Sequence, residues 1–296
     1  MKRLTSTGLI SIFLLLLAAF TLLVAAAGCE KKAVDTGKIT VAVTLLPQAG
    51  FVEAIGGDKV EVVVMVPPGA SPHTYEVTPE QMTRLSKAKM YAKVGSPVEF
   101  ELAWMDKLIS VNKNMPVVDC SKGISLIESQ DPEEPGMDPH IWLSVKNAKI
   151  MVRNICDGLV QADADNKSYY EENCNAYLEK LTELDDEFTA DLSGVKNRSF
   201  IVFHPAFSYF ARDYNLNQIG VEQEGKEPDA DYIIRLIKEA REQDIRVVFV
   251  SPEYSSKSAE SIAKEIGGKV VIIDPLARDF ISNMRNIESA MKQAMQ

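Results

Sequence analysis

Short apolar, β-branched runs alternate along most of the chain with longer amphipathic stretches. Residues 39–43 (Ile-Thr-Val-Ala-Val), 60–66, 89–94 and 117–119 read as strands. Between them, residues 47–55 fit a helix stopped by Gly56-Gly57-Asp58, and Thr78-Pro79-Glu80-Gln81 is a capping box with proline at the first helical position. From Val145 the apolar positions Val145, Ala148, Met151, Ile155 and Leu159 share one helical face. After an interruption at 163–166, Tyr170, Cys174, Tyr177, Leu181, Leu184 and Phe188 recur at three- and four-residue steps, with no Gly or Pro until Gly194. A helix over 166–192 would be about 40 Å long at 1.5 Å per residue, which suits a spacer between two lobes. The strand-helix rhythm then restarts. Strands are predicted at 199–203, 246–250 and 270–273, and helices at 207–214, 232–243 (capped by Asp229 or Asp231), 258–266 and 282–295. Such alternation predicts an α/β protein with parallel sheets, whose ligand groups gather outside the carboxyl ends of the strands.

The first 28 residues break this rhythm. Lys2 and Arg3 precede an apolar run from Leu9 to Val24, and Ala25-Ala26-Ala27-Gly28 leads into Cys29. This reads as a secretory signal. Small residues directly before a cysteine resemble the bacterial lipobox, in which that cysteine is lipidated, although Ala26 stands where leucine is usual. The competing reading is an uncleaved membrane anchor, since the run approaches the roughly 20 residues needed to span a bilayer. Both readings place the remainder outside the cytoplasmic membrane. The expected organisation is a signal peptide at 1–28, a tether at 29–37, a first α/β lobe at 38–164, a linker helix at 165–193 and a second lobe at 194–296.

Composition narrows the partners. The formal charge is −10 and becomes more negative once the basic signal is removed. That excludes nucleic acid as a natural partner, because its binding rests on Lys and Arg neutralising phosphates. Beyond Cys29 the chain has Cys120, Cys156 and Cys174, which match no zinc-binding spacing and allow at most one intrachain bridge. Residues 128–138 form a polar, acidic loop that reads either as solvated surface or as a weak collector of cations.

The chain has only three histidines, His73, His140 and His204, too far apart for a zinc finger or a His-x-x-x-His helix. Each adjoins a proline, and His73 and His204 come at or soon after the end of apolar runs. Asp274-Pro275 repeats the arrangement after the last such run. Any one of these residues alone reads as well as a satisfied, partly buried side chain. Together they suggest four loops that converge on one metal ion if they share a cleft. Imidazole nitrogens with one carboxylate suit a borderline ion such as zinc. A zinc hydrolase is the rival reading, but it needs an open coordination position and a general base, for which Glu99 is the one candidate.

Several of these segments together resemble the zinc/manganese-type solute-binding lipoproteins of bacterial and archaeal ABC importers (cluster A-I). They are Gly69-Ala70-Ser71-Pro72-His73-Thr74-Tyr75-Glu76 with Gly95-Ser96-Pro97-Val98-Glu99, then Asp138-Pro139-His140-Ile141-Trp142-Leu143, Phe203-His204-Pro205-Ala206-Phe207 and Ile273-Asp274-Pro275-Leu276. Tyr209, Glu227-Pro228 and Ser255-Ser256-Lys257-Ser258-Ala259 also fit. The resemblance implies two Rossmann-like lobes joined by one long rigid helix, with the metal in the cleft between them. It implies His73 and His140 as ligands from the first lobe and His204 and Asp274 from the second. It further implies an extracytoplasmic, monomeric carrier, with no enzymatic activity, that is tethered through lipid on Cys29 and delivers its ion to a cognate ABC permease. Departures are Ser71, where an acidic residue is usual, and the turn Ser251-Pro252-Glu253-Tyr254; the histidine-rich loop of many zinc members is absent. Manganese members typically carry a carboxylate at the third ligand position. His204 stands there, and nitrogen in place of a hard oxygen favours zinc over manganese or iron. A metal-dependent surface adhesin on the same fold is the other reading.

Overall fold

The computed structural model describes residues 37–129, 136–222 and 228–296. The signal, Cys29 and nearly all of the tether lie outside them. Among the described residues no helix is long and apolar enough to cross a membrane.

Two parallel four-stranded sheets carry the architecture. The first contains β1 (Ile39–Val43), β2 (Val60–Val64), β3 (Met90–Lys93) and β4 (Val117–Asp119) in the order β2-β1-β3-β4. The second contains β5 (Ser199–Val202), β6 (Asn217–Gly220), β7 (Val247–Val250) and β8 (Lys269–Ile272) in the order β6-β5-β7-β8. The helices are α1 (Leu46–Gly56), α2 (Pro79–Leu85), α3 (Glu99–Val111), α4 (Val145–Ala162), α5 (Lys167–Ser193), α6 (Ser208–Asp213), α7 (Ala230–Glu242), α8 (Lys257–Glu265) and α9 (Phe280–Ala294). In each sheet the first strand sits inside, with the second strand on one side and the third on the other. The strand order therefore reverses beside β1 and beside β5, the arrangement that opens a crevice at the carboxyl ends.

Local chemistry explains most boundaries. Thr78 Oγ1 accepts from Gln81 N at 3.3 Å while Gln81 Oε1 accepts from Thr78 N at 3.0 Å, so the capping box forms and α2 starts at Pro79. Asp229 caps α7, accepting from Tyr232 N at 2.7 Å. Two elements had no counterpart in the sequence pattern. In α3 the apolar residues are scattered around the helix, so no clear stripe marks it. β6 is an edge strand that reads Asn-Gln-Ile-Gly, without a β-branched run.

The long helix α5 has 27 residues and buries Tyr170, Cys174, Leu178, Leu181, Leu184, Phe188 and Leu192 along one stripe. It is not a free-standing spacer. Asn173 Nδ2 donates to Ile55 O of α1 at 3.0 Å, Lys149 of α4 pairs with Asp185 at 2.8 Å, and Lys292 of α9 pairs with Asp191 at 2.8 Å. One continuous apolar core runs from the first sheet through α4 and α5 to α6, α9 and one face of the second sheet. Alternation along β5 divides its faces: Phe200 and Val202 join that core, whereas Ile201 and Phe203 join a smaller one. The smaller core lies under α7 and α8, with Leu236, Ala240, Ala259 and Ile262. The two halves also meet directly. Phe51 of α1 packs edge-on against Phe280 with ring centroids 5.1 Å apart, and Arg278 pairs with Glu53 at 2.6 Å. Gly50 permits this approach, because a Cβ there would overlap the Arg278 carbonyl.

Candidate metal centre

Each histidine is set by its loop. His73 follows β2 on a segment wound into tight turns, with Ala70 N donating to Pro67 O and Tyr75 N to Ser71 O, both at 3.1 Å. His140 precedes a single 3₁₀ turn, Ile141–Leu143, and Ser144 then caps α4 by accepting from Asn147 N at 3.0 Å. His204 lies two residues beyond β5, and Phe203 N still donates to Phe249 O at 2.7 Å. These loops bring the three imidazoles together: one nitrogen from each lies within 4.8 Å of the other two. The Nε2 atoms of His140 and His204 are 3.1 Å apart. His140 is buried, and His73 and His204 are half-buried.

Each imidazole also turns Nδ1 toward a carboxylate. The distances are 3.0 Å from His73 to Glu99 Oε2, 3.0 Å from His140 to Asp138 Oδ1 and 2.7 Å from His204 to Glu222 Oε2. An Nδ1–H that donates to a carboxylate leaves the Nε2 lone pair free for a metal and makes it more basic. Two such lone pairs facing each other at 3.1 Å repel unless a cation lies beside both. Nitrogens bound to a tetrahedral zinc at 2.0–2.1 Å stand roughly 3.3 Å apart. The donor set and its spacing therefore fit zinc.

The electrostatics agree. Burial pushes the Asp138 carboxyl up, but His140, hydrogen bonding included, and a bond from Ser208 outweigh it and hold the group below its usual range. Glu99 is likewise lowered, with burial opposed by the hydrogen bond and charge of His73. His204 is pushed down to about 4, mainly by burial, with Glu222 working against the shift and the other two imidazoles adding to it. It is therefore neutral well below neutral pH. Tyr254 stacks on its ring at 5.0 Å and 19°.

Asp274 behaves differently. It follows β8 as expected, but its carboxylate is not among the donor atoms that lie within 4.8 Å of one another. Its Oδ1 accepts from Leu276 N at 2.7 Å, within its own loop. That loop is nevertheless pinned beside the site, since Trp142 Nε1 donates to Pro275 O at 2.9 Å and Asn283 Nδ2 to Asp274 O at 2.6 Å. Glu227 lies outside the described residues, as does most of the acidic loop, whose stem closes with Ser129 N donating to Gly136 O at 2.8 Å.

Sequence reasoning missed the supporting role of the carboxylates, having named Glu99 only as a candidate base and Asp138 only within its motif. Asp138 could have been found, because a carboxylate two residues before a histidine can reach both its N–H and its ring. Glu222 could not. It comes into place because β5 and β6 pair in parallel with Val202 opposite Gly220, so that His204 and Glu222, each two residues further on, fall side by side. Ser96 is a further support, its hydroxyl donating to Pro139 O at 2.5 Å and tying the turn before Glu99 to the loop of His140.

Comparison with known proteins agrees with this geometry. The family described as "Zinc-uptake complex component A periplasmic" (ZnuA) matches residues 41–294. The high-affinity zinc uptake system protein ZnuA of Bacillus subtilis (strain 168) is 32% identical over 281 residues, which are 89% of this chain and 88% of that protein. Zinc-binding proteins AdcA of Streptococcus pyogenes are 29% identical, and the match spans only 52% of their length. A crystal structure of ZnuA superimposes with a TM-score of 0.83 at 42% identity, covering 88% of this chain and all of that one. The Zn(II)-bound ZnuA-like domain of Streptococcus pneumoniae AdcA gives 0.74 at 28% identity, covering 88% of this chain and 99% of that one. With a match that spans nearly all of the described residues, this chain belongs to the ZnuA family of zinc-uptake components.

Proposed function

We propose that this protein is the extracytoplasmic solute-binding component of an ABC uptake system, capturing zinc and delivering it to a membrane permease. The observation that carries the reading is the set of three imidazoles, each braced at Nδ1 by a carboxylate and offering its other nitrogen to a shared point. His73, His140 and His204 are the ligands. Asp274 completes the set on zinc binding, a role supported by the anchoring of its loop to Trp142, two residues from His140. Capture needs no reaction. Cys29 is the site of the lipid tether, a role supported by the small residues before it. The carrier works as a monomer.

Three imidazoles with a single carboxylate favour zinc over manganese, which suits oxygen donors, and bind zinc more tightly than iron(II). The test is metal analysis after exposure of chelator-stripped protein to zinc and manganese together, for the parent and for His140→Ala. The parent retains one equivalent of zinc. The variant loses more affinity than the roughly 10–100-fold that changes around the ligands cost. Retention of manganese by the parent, or unchanged zinc affinity in a folded variant, overturns the reading.

A further inference from the structure

Two cysteines lie away from the metal centre and take no part in it. Cys156 on α4 and Cys174 on α5 are both buried, at the interface between the two helices. The Cys156 thiol donates to the carbonyl of Tyr170 at 3.7 Å. That carbonyl is one helical turn before Cys174, and helical side chains lean back over the preceding turn. The Cys174 thiol is thus directed at the same spot across the interface of α4 and α5. The third cysteine of the described residues is elsewhere: Cys120, just beyond β4, accepts from Gln48 Nε2 at 3.5 Å.

We infer that Cys156 and Cys174 form a disulfide that fastens α4 to the long helix α5. The reaction is thiol–disulfide exchange with a protein or low-molecular-weight disulfide. One thiolate attacks that disulfide and releases one thiol. The second thiolate then attacks the mixed disulfide and releases the other. The cysteines are oxidised, the donor is reduced to two thiols, and the two cysteine protons leave with them. Burial requires the exchange to occur before the helices finish packing.

Formation in the cell rests on the extracytoplasmic reading above, because only that side of the membrane is oxidising. The chemistry itself can be tested without it. Full-length protein is reduced, unfolded and refolded with glutathione disulfide and glutathione, then unfolded in alkylating reagent and mapped by mass spectrometry. The expected result is a 156–174 cross-linked peptide, with Cys120 alkylated in full as the internal control. Reduction of the refolded protein should lower Tm by about 5–10 °C, given the loop length and the size of the protein. The variant Cys156→Ser/Cys174→Ser should show no response of Tm to reductant. Full alkylation of both cysteines at every glutathione ratio overturns the inference, as does a bridge to Cys120. Fractionation of cells reports separately on location: a cytoplasmic protein would sink the export reading and leave the refolding result standing.

Discussion

At the centre each imidazole has Nδ1 beside a carboxylate, and His140 and His204 bring their Nε2 atoms together. The carboxylates differ in how they are supplied. Asp138 comes from the same loop as its histidine, Glu99 from the start of α3 and Glu222 from just beyond the neighbouring strand. Because Glu222 and His204 are held by sheet register, Glu222→Gln should keep the fold while weakening the brace. Zinc affinity is expected to fall roughly 10–100-fold, as read by competition with a chromophoric chelator, and an unchanged affinity would remove Glu222 from the site. Acid should act through His204. Its folded value of about 4 lies below its ordinary 6.5, so between these pH values the unfolded chain binds more protons. Stability of metal-free protein therefore falls as pH drops from about 6.5 to about 4, by at most about 1.4 kcal/mol per pH unit for one proton. The melting temperature of chelator-treated parent should decline more steeply across that window than that of His204→Gln; equal slopes would refute the assignment.

Among the elements, α5 carries the strongest periodic signal and was legible in the sequence for that reason. Its apolar residues return at every third or fourth position from Tyr170 to Leu192, with no breaker among them. What the pattern could not reveal was its surroundings. A stripe shows that a helix has a buried face, but not that α1, α4 and α9 all share it. Leu181 lies fully buried in the middle of that stripe, so Leu181→Ala should cost about 2–5 kcal/mol in denaturant unfolding. A loss below 1 kcal/mol would mean that the stripe of α5 is not packed as the structure has it. Motif-bearing loops were equally readable, since proline beside histidine at the end of a strand is a local feature. β6 and α3 were not, the first being short, polar and at an edge, the second having its apolar residues spread around the helix. With β6 unseen, the partner of His204 was out of reach.

For the whole molecule, the question is how far the two sheets act as separate bodies. Their faces toward α5 contribute to one apolar core, and Phe51, Phe280, Glu53 and Arg278 join the halves directly. Trp142 and Tyr209 add hydrogen bonds across the metal loops, to Pro275 O at 2.9 Å and to Asp138 O at 2.8 Å. Separation of the lobes would expose a large apolar area, at roughly 25 cal/mol per Å². Residues 38–296 should therefore unfold in urea as one cooperative transition, coincident by near-UV and far-UV circular dichroism. Two resolved transitions would show that the lobes are independent. On the proposed function, zinc release then comes from local movement of the loops at the site.

The shared interior has a further consequence for inheritance. A half-length gene ending before α5 would yield a polypeptide whose greasiest surface has lost its cover, and a half beginning after α5 would fare no better. Recombination between relatives should therefore succeed at the loop tips around the three histidines and fail at the seam between the sheets. New metal preferences would arise by exchange of tips on an undivided body, not by shuffling of cassettes.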